Sequence, residues 1–336
     1  MVYIFVASLI AGWLLTGVVR RAAARRGLLD MPNTRSSHVI PTPRGGGIAI
    51  VIITLAAACA QVLLEGGRIP VAVAWIAGGG LVAGIGFLDD LKGVSAMVRA
   101  GVQALAAIVL LSAVDLPVVL GLPQSSLGTV AFLWVAGALA VMWSINLFNF
   151  MDGIDGLASA QCVFVVVAAT LLTGVGNGLG SSLVPCIAMA GACVGFLIWN
   201  APPAKIFMGD VGSGFIGFGL IAGALTTGGK GPVSFWTWLV LNGLFSADAT
   251  VTLLVRLMRG QRIYEAHRLH VYQRLARRWS SHGRVTAAYM SINLIWCLPW
   301  AIATTQFPGN APVLALAALL PLCMVAVAAR AGQTDP

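Results

Sequence analysis

The sequence predicts an all-α, polytopic membrane bundle of about eleven spans, forming one domain over residues 1–336, and three observations lead there. Of the 336 residues, 59% are hydrophobic and only 9% are charged, against about 25% charged in soluble domains. The mean hydropathy is +0.92. Apolar runs of the length a bilayer demands, roughly 20 residues per helix, recur along the chain, and the longest stretch between them, 256–286, is too short for a core of its own.

The spans follow in order. The first, 1–19, begins at Met1 without a basic preceding segment and ends at Arg20 and Arg21, as suits a retained anchor with its N-terminus outside. The second, 46–64, opens on the glycines 45–47; the third, 70–88, holds glycines 78–80 and ends at Asp89 and Asp90. The fourth and fifth are 99–114 and 128–147, the fifth running into NLFNFMDGIDG. The sixth, 158–175, and the seventh, 182–199, flank VGNGLG, and the eighth, 211–227, emerges from NAPPAKIFMGDVGSG. The ninth, 232–255, carries Asp248 within its apolar run, a costly placement for a charge that marks a functional or a paired group. The tenth and eleventh are 287–306 and 312–329.

The net charge of +9 does not indicate nucleic acid, because eighteen of the twenty basic residues fall on one side of this topology and only Arg68 and Lys230 on the other. By the positive-inside rule the basic side is cytoplasmic, which puts the N-terminus outside and the C-terminus inside. The six cysteines have no metal-like spacing and read as apolar fillers and free thiols.

With orientation set by Lys and Arg alone, the acids can be placed independently. Asp89, Asp90, Asp152, Asp155 and Asp210 all fall on the cytoplasmic side, while the outer loops are almost bare of ionisable groups. An acid at a helix end often marks only the water boundary, and Asp-Gly is ordinary turn chemistry. Three such loops on one face, with EAHRLHVYQR (265–274) as a fourth, point to a site. Carboxylate and amide oxygens favour magnesium, with manganese as the alternative, and the four histidines lack a zinc spacing. Lys92, Arg99, Arg268 and Arg274, with His267 and His270, supply charges suited to a phosphate. The site is that of a polyanion at a membrane surface. Adjacent carboxylates repel, so one of Asp89 and Asp90 can serve as a base while the other pairs with a cation or the metal. The glycines at 45–47, beside Arg44, are a further phosphate contact; those at 78–80 read as helix packing.

Together these pieces resemble a known family. RSSHVIPTPRGGGIAI (35–50), GFLDDLKG with the later RAGVQ (86–103), NLFNFMDGIDGLA (146–158), FLIWNAPPAKIFMGDVGS (196–213) and the basic ninth loop are similar, in this order, to the polyprenyl-phosphate N-acetylhexosamine-1-phosphate transferases, glycosyltransferase family 4. Within it, HRLHVYQ and RSSHVIPTPRGGG look most like enzymes that initiate O-antigen and related surface polysaccharides. The resemblance implies transfer of a sugar-1-phosphate from a UDP-N-acetylhexosamine to undecaprenyl phosphate at the bacterial inner membrane, with release of UMP, and suggests a homodimer. It implies Asn149 and Asp210 as magnesium ligands. Asp152, Asp155, Asn200 and Phe207 match positions that hold the uridine, Phe207 by stacking, and His267, Arg268 and His270 match the segment that grips the diphosphate. Asp89 matches the acid assigned to deprotonate the lipid phosphate and Asp90 its electrostatic partner; Arg99 and Arg44 are the nearby phosphate contacts. Where relatives often carry more histidines, this chain has Tyr272 and Gln273, and Met97 stands where a lysine is common.

Two other readings stay open at this level. One is a peptidoglycan-precursor transferase taking a larger donor, against which the sparse histidines and the eleventh span argue. The other is a transporter, against which the one-sided placement of the acids and the lack of an internal repeat argue. The expected mechanism is direct attack by the lipid phosphate oxygen on the β-phosphorus of the UDP-sugar; a two-step route through a covalent phosphosugar on an aspartate is the competing scheme.

Overall fold

The computed structural model describes residues 1–31, 40–65, 69–122, 126–174, 181–228, 233–262 and 267–333. Arg35, His38, Arg68, Lys230 and Glu265 lie outside the described residues. The helices are α1 (Val2–Arg25), α2 (Gly47–Glu65), α3 (Ile69–Lys92), α4 (Ala96–Leu111), α5 (Leu127–Met151), α6 (Leu157–Thr173), α7 (Val184–Asn200), α8 (Asp210–Thr227), α9 (Phe235–Leu241), α10 (Gly243–Met258), α11 (Val271–Trp279), α12 (His282–Gln306) and α13 (Ala311–Ala328). Helices α3 and α12 each contain a π turn, at Ala74–Gly78 and Asn293–Cys297.

The protein is a polytopic helical bundle. Among the described residues six helices are long and apolar enough to cross a membrane, seven if the bent pair α9–α10 is one span, and α2, α4, α6 and α7 are shorter apolar helices. Each of the eleven apolar runs falls on one of these pieces. The run 232–255 differs from expectation, being two helices bent by 74°. Asn242 lies at the bend, with a φ of −89° and a ψ of 5° that depart from the helix, and its side-chain amide donates to Trp238 O at 3.1 Å. Gly243, the poorest helix former but proline, opens the second.

Helix α8, whose first residue is Asp210, forms the centre of the bundle with almost every residue buried. Lipid tails are as apolar as leucine, so helices in a bilayer associate by close packing of small residues. Accordingly α1 lies against α7 where Gly12 faces the Ala192 backbone and Gly191 faces Phe5 O, with no room for a β-carbon at either glycine. Gly78 and Gly79 likewise pack on Phe218 and Phe215, as expected for the second glycine run, although Gly80 faces open space.

Two short segments bring distant residues together at one end of the bundle. Leu29–Asp30 and Thr42–Pro43 pair as an antiparallel ribbon. Beyond it, Pro43 O accepts from Phe207 N (2.8 Å), Gly46 N donates to Phe207 O (2.9 Å) and Gly47 N donates to Met208 O (2.9 Å). This seam seats Arg44 beside α8. It also uses the Gly46 and Gly47 N–H groups, which removes those two from the phosphate contact expected of the first glycine run.

Candidate active site

Asp210 stands at the meeting point of three helix ends. Asp90, at the end of α3, accepts from the backbone N–H of Asp210 (2.9 Å, Oδ1) and of Val211 (3.1 Å, Oδ2). A carboxylate there satisfies two of the N–H groups that a helix start leaves without partners and complements its dipole. Gly209 makes the approach possible, with a φ of 78° and a position where a β-carbon would lie 2.5 Å from Asp90 Oδ2. Arg44 bridges the two acids, its Nη2 lying 2.8 Å from Asp90 Oδ1 and 2.8 Å from Asp210 Oδ1. Burial disfavours the Arg44 charge, but Asp90 and Asp210, then Asp30 and Asp152, outweigh it and hold the guanidinium pKa above its ordinary value. Both oxygens of Asp90 are thus engaged within the protein. Its side chain is only 7% exposed, against 22% for Asp210.

Asp89 has both oxygens engaged. Oδ1 accepts from Val94 N at 2.5 Å, which closes the turn after α3, and Oδ2 is paired with Arg99 Nη1. The same Arg99 nitrogen lies 3.7 Å from Asp210 Oδ2. Across a cleft of about 30 Å³ stand Asn146 and Asn149 of α5, with Gln103 of α4. Asn149 donates through Nδ2 to Ser213 Oγ (3.3 Å), and Asn146 Nδ2 donates to Gln103 Oε1 (2.8 Å). Gln103 and Ser213 are members of the site that sequence reasoning did not single out, though each lies inside a quoted motif.

Asp152, just beyond α5, is half-buried and, among the described residues, its carboxylate takes no hydrogen bond or ion pair. Burial, and then the negative charge of Asp210, push its pKa well above the usual carboxylate range. Asp155, three residues on, is already satisfied. It accepts from Ala204 N (3.1 Å) and faces His282 Nδ1 at 3.3 Å, tying this loop to the 201–209 loop and to α12. Asn200 is a strut between the same loops, being 4% exposed, with its oxygen accepting from Gly156 N (2.9 Å) and its nitrogen donating to Ile206 O (2.9 Å). Phe207 is half-buried, on the seam next to Arg44.

The histidine segment docks through Asp248. That buried acid of α10 accepts from Val271 N (2.9 Å), Tyr272 N (3.1 Å), Tyr289 Oη (2.7 Å) and Thr252 Oγ1 (3.2 Å), capping α11 as Asp90 caps α8. His270 Nδ1 lies 3.4 Å from the same carboxylate, and the ring is 2% exposed. It stacks with Phe150 and Tyr272, and Tyr272 Oη donates to Phe150 O (2.8 Å) beside Gly153. His267, 4.9 Å from His270 between ring centres, is half-buried. Its pKa is driven down to about 3 by burial, then by the charges of His270 and Arg256, so it is neutral at physiological pH. Arg268 is half-buried, its carbonyl accepting from Arg277 Nη1 (3.0 Å). Burial and the neighbouring Arg277 lower the Arg268 pKa.

At this end of the bundle the carboxylates of Asp89, Asp90 and Asp210, with the Asp152 carboxyl whose pKa is raised, stand with the two guanidiniums of Arg44 and Arg99. Its partly exposed donors are oxygens, and among the described residues no group of three or more His, Cys, Asp or Glu side chains is arranged to hold a metal. Such a set suits a hard divalent cation that keeps water and takes further ligands from substrate phosphates. It does not suit zinc.

Comparison with known proteins identifies the family. The profile of glycosyl transferase family 4 matches residues 72–228, from α3 to the end of α8. The decaprenyl-phosphate N-acetylglucosaminephosphotransferase of Mycolicibacterium smegmatis is 31% identical over 88% of this chain and 80% of its own. Undecaprenyl-phosphate alpha-N-acetylglucosaminyl 1-phosphate transferases are 31% identical in Yersinia pestis (82% of this chain, 76% of theirs) and 33% identical in Escherichia coli K12 (77% and 71%). On this evidence the chain belongs to glycosyl transferase family 4, among the polyprenyl-phosphate N-acetylhexosamine-1-phosphate transferases.

Proposed function

We propose that this protein transfers N-acetylhexosamine-1-phosphate from a UDP-sugar to undecaprenyl phosphate, as the first membrane step of O-antigen or another cell-envelope polysaccharide. The reaction runs at the cytoplasmic face of a bacterial inner membrane. The observation that carries the reading is the convergence of Asp210, Asn149, Asp89, Arg99 and Arg44 at one bundle end, where a water-soluble donor can meet a membrane-bound acceptor. The names of the relatives make UDP-N-acetylglucosamine the first donor to test.

An oxygen of the lipid phosphate attacks the β-phosphorus of the donor. One P–O bond forms there, the bond from that phosphorus to the bridging oxygen breaks, and UMP leaves with the bridging oxygen. A phosphate monoester's second pKa is about 6, so the nucleophile is already ionised at neutral pH. Asp89 is held by Val94 N–H and Arg99, an arrangement suited to aiming the Arg99 guanidinium more than to taking a proton. Arg44 and Arg99 neutralise charge on the transferring phosphoryl oxygens. Asp210 and Asn149 would hold magnesium, which supplies Lewis-acid stabilisation of the diphosphate and of the departing UMP. Phe207 offers a ring face to the uracil and Asp152 an unengaged carboxyl to the uridine.

Purified protein incubated with undecaprenyl phosphate, magnesium and single UDP-N-acetylhexosamines tests this by mass spectrometry of the extracted lipid. Undecaprenyl diphosphate carrying one N-acetylhexosamine is expected, and only with magnesium or manganese present. Folded protein that makes no such lipid from any donor in the panel would overturn the proposal.

A further inference from the structure

A second cleft, outside the reaction centre, lies between α11 and the end of α13. Its described lining is Arg274, Arg277, Arg278 and Arg330 with Val271, Leu275, Ala328 and Ala329, around a volume of about 530 Å³. Helix α11 is sharply two-sided. Val271, Tyr272 and Ala276 are buried toward the bundle, while Arg277 and Arg278 are exposed and Trp279, at its end, is 38% exposed. The span α12 begins at His282, just after Trp279, and a tryptophan beside arginines near a span's end is the signature of the membrane–water interface. From the cleft an apolar exposed face runs back along α13 through Val327, Met324 and Leu320.

Topology alone calls for arginines on the cytoplasmic side. It does not call for four of them around a concavity that opens onto lipid-facing side chains. We infer that this cleft binds an anionic phospholipid of the surrounding bilayer, its phosphate against Arg278 and Arg330 and its acyl chains along α13. Basic pockets at cytoplasmic helix ends take such headgroups. A free phosphate would gain the arginines and forgo the apolar face; a zwitterionic lipid would cover that face and forgo the net charge.

The site has a route to the reaction centre. Helix α11 begins at the Asp248 cap, its Tyr272 hydroxyl holds Phe150 O, and His270 precedes it directly. A lipid seated at the other end of this nine-residue helix therefore steadies the histidine segment. Arg274, within the cleft, also donates to Gln333 O (2.8 Å), which ties α11 to the chain after α13.

The test reads binding and needs no turnover, so it stands or falls apart from the proposed reaction. Detergent-purified protein is titrated with phosphatidylglycerol, with phosphatidylcholine and with inorganic phosphate, following bound lipid by native mass spectrometry and the melting temperature. The comparison is with Arg278→Gln/Arg330→Gln, two exposed positions outside the reaction centre. Phosphatidylglycerol alone should be retained and should raise the melting temperature. The double variant should need about 25-fold more of it, since each arginine near a lipid surface contributes about fivefold. Should the glutamine variant be unstable without lipid, Arg278→Lys/Arg330→Lys restores the charge and should bind phosphatidylglycerol. Equal response to phosphatidylcholine, stabilisation by inorganic phosphate alone, unchanged binding by the glutamine variant, or failure of the lysine variant to bind would each overturn the inference.

Discussion

Replacing Asp90 by Asn separates positioning from direct chemistry. The native carboxylate accepts two backbone N–H groups at the start of α8, at 2.9 and 3.1 Å, and pairs with Arg44 at 2.8 Å. An amide keeps one acceptor and turns an NH₂ group toward a donor. Losing a helix cap costs about 1 kcal/mol, up to about 2, and a hydrogen bond to a charged group about 1.5–3 kcal/mol. The Arg44 pair adds little, because that side chain is 36% exposed and half-exposed ion pairs are worth under about 1 kcal/mol. The cap and the charged hydrogen bonds are the same two N–H contacts, so the two figures overlap and the whole comes to about 2–3 kcal/mol, concentrated on the residue that carries the Asp210 carboxylate. Expressed in the transition state, that is about a 30- to 150-fold loss of kcat, with the magnesium needed for half-maximal rate also raised. UMP release measured against donor and metal concentration reads both. Activity within threefold of wild type would refute the capping argument. A variant as inactive as Asp210→Asn, with unchanged melting temperature and metal dependence, would refute it from the other side by making Asp90 a direct participant.

Other consequences follow from the same contacts. Gly209→Ala places a methyl group 2.5 Å from Asp90 Oδ2 at a φ of 78° and a ψ of 169°, so it should cost at least about 1–3 kcal/mol and lower activity. Gly80→Ala, where nothing lies within 4 Å, should leave both melting temperature and rate unchanged, and equal effects in the two variants would contradict the packing account. Asp248→Asn leaves buried donors facing an amide and should destabilise by about 3 kcal/mol, seen as a melting temperature lowered by several degrees; an unchanged value would remove Asp248 from its role as the cap of α11. His267, with its pKa driven down to about 3, binds its proton more weakly folded than unfolded. Its neutral form therefore favours the fold fully above about pH 6.5, and that contribution is lost progressively as pH falls toward 3. Ligand-free protein labelled at histidine should show the His267 ring neutral by NMR at pH 5.5, and a protonated ring there would contradict the burial argument.

Much of this was legible in the sequence because a bilayer imposes its own arithmetic. Each span must be long, apolar and helical, so the eleven runs marked the helices, and the polar residues that interrupt them had to sit at ends. What sequence could not give was which ends meet. Asp90 meets Asp210 through the packing of α3 on α8, and Arg44 joins them only by the seam between 43–47 and 207–208, which also consumes the Gly46 and Gly47 N–H groups that looked free for phosphate. Asn200 and Asp155 read as ligand contacts, yet their strongest partners are backbone groups and His282, because loops 152–156 and 201–209 brace each other. Gln103 was not singled out because a lone amide in an apolar run signals nothing until its partner, Asn146, 43 positions away, is known. The bend at Asn242 was hidden for a similar reason, since hydropathy measures apolar length and not direction.

The central claim is that a phosphosugar, and not a bare sugar, moves to the lipid. UDP-N-acetylglucosamine labelled at the β-phosphorus, incubated with undecaprenyl phosphate and this protein, decides it through the fate of the label. The account predicts label in the extracted lipid with unlabelled UMP released, abolished in Asp210→Asn. Label retained in released UDP, or transferred to the Asp210→Asn variant's lipid as fast as to the wild type's, would contradict it.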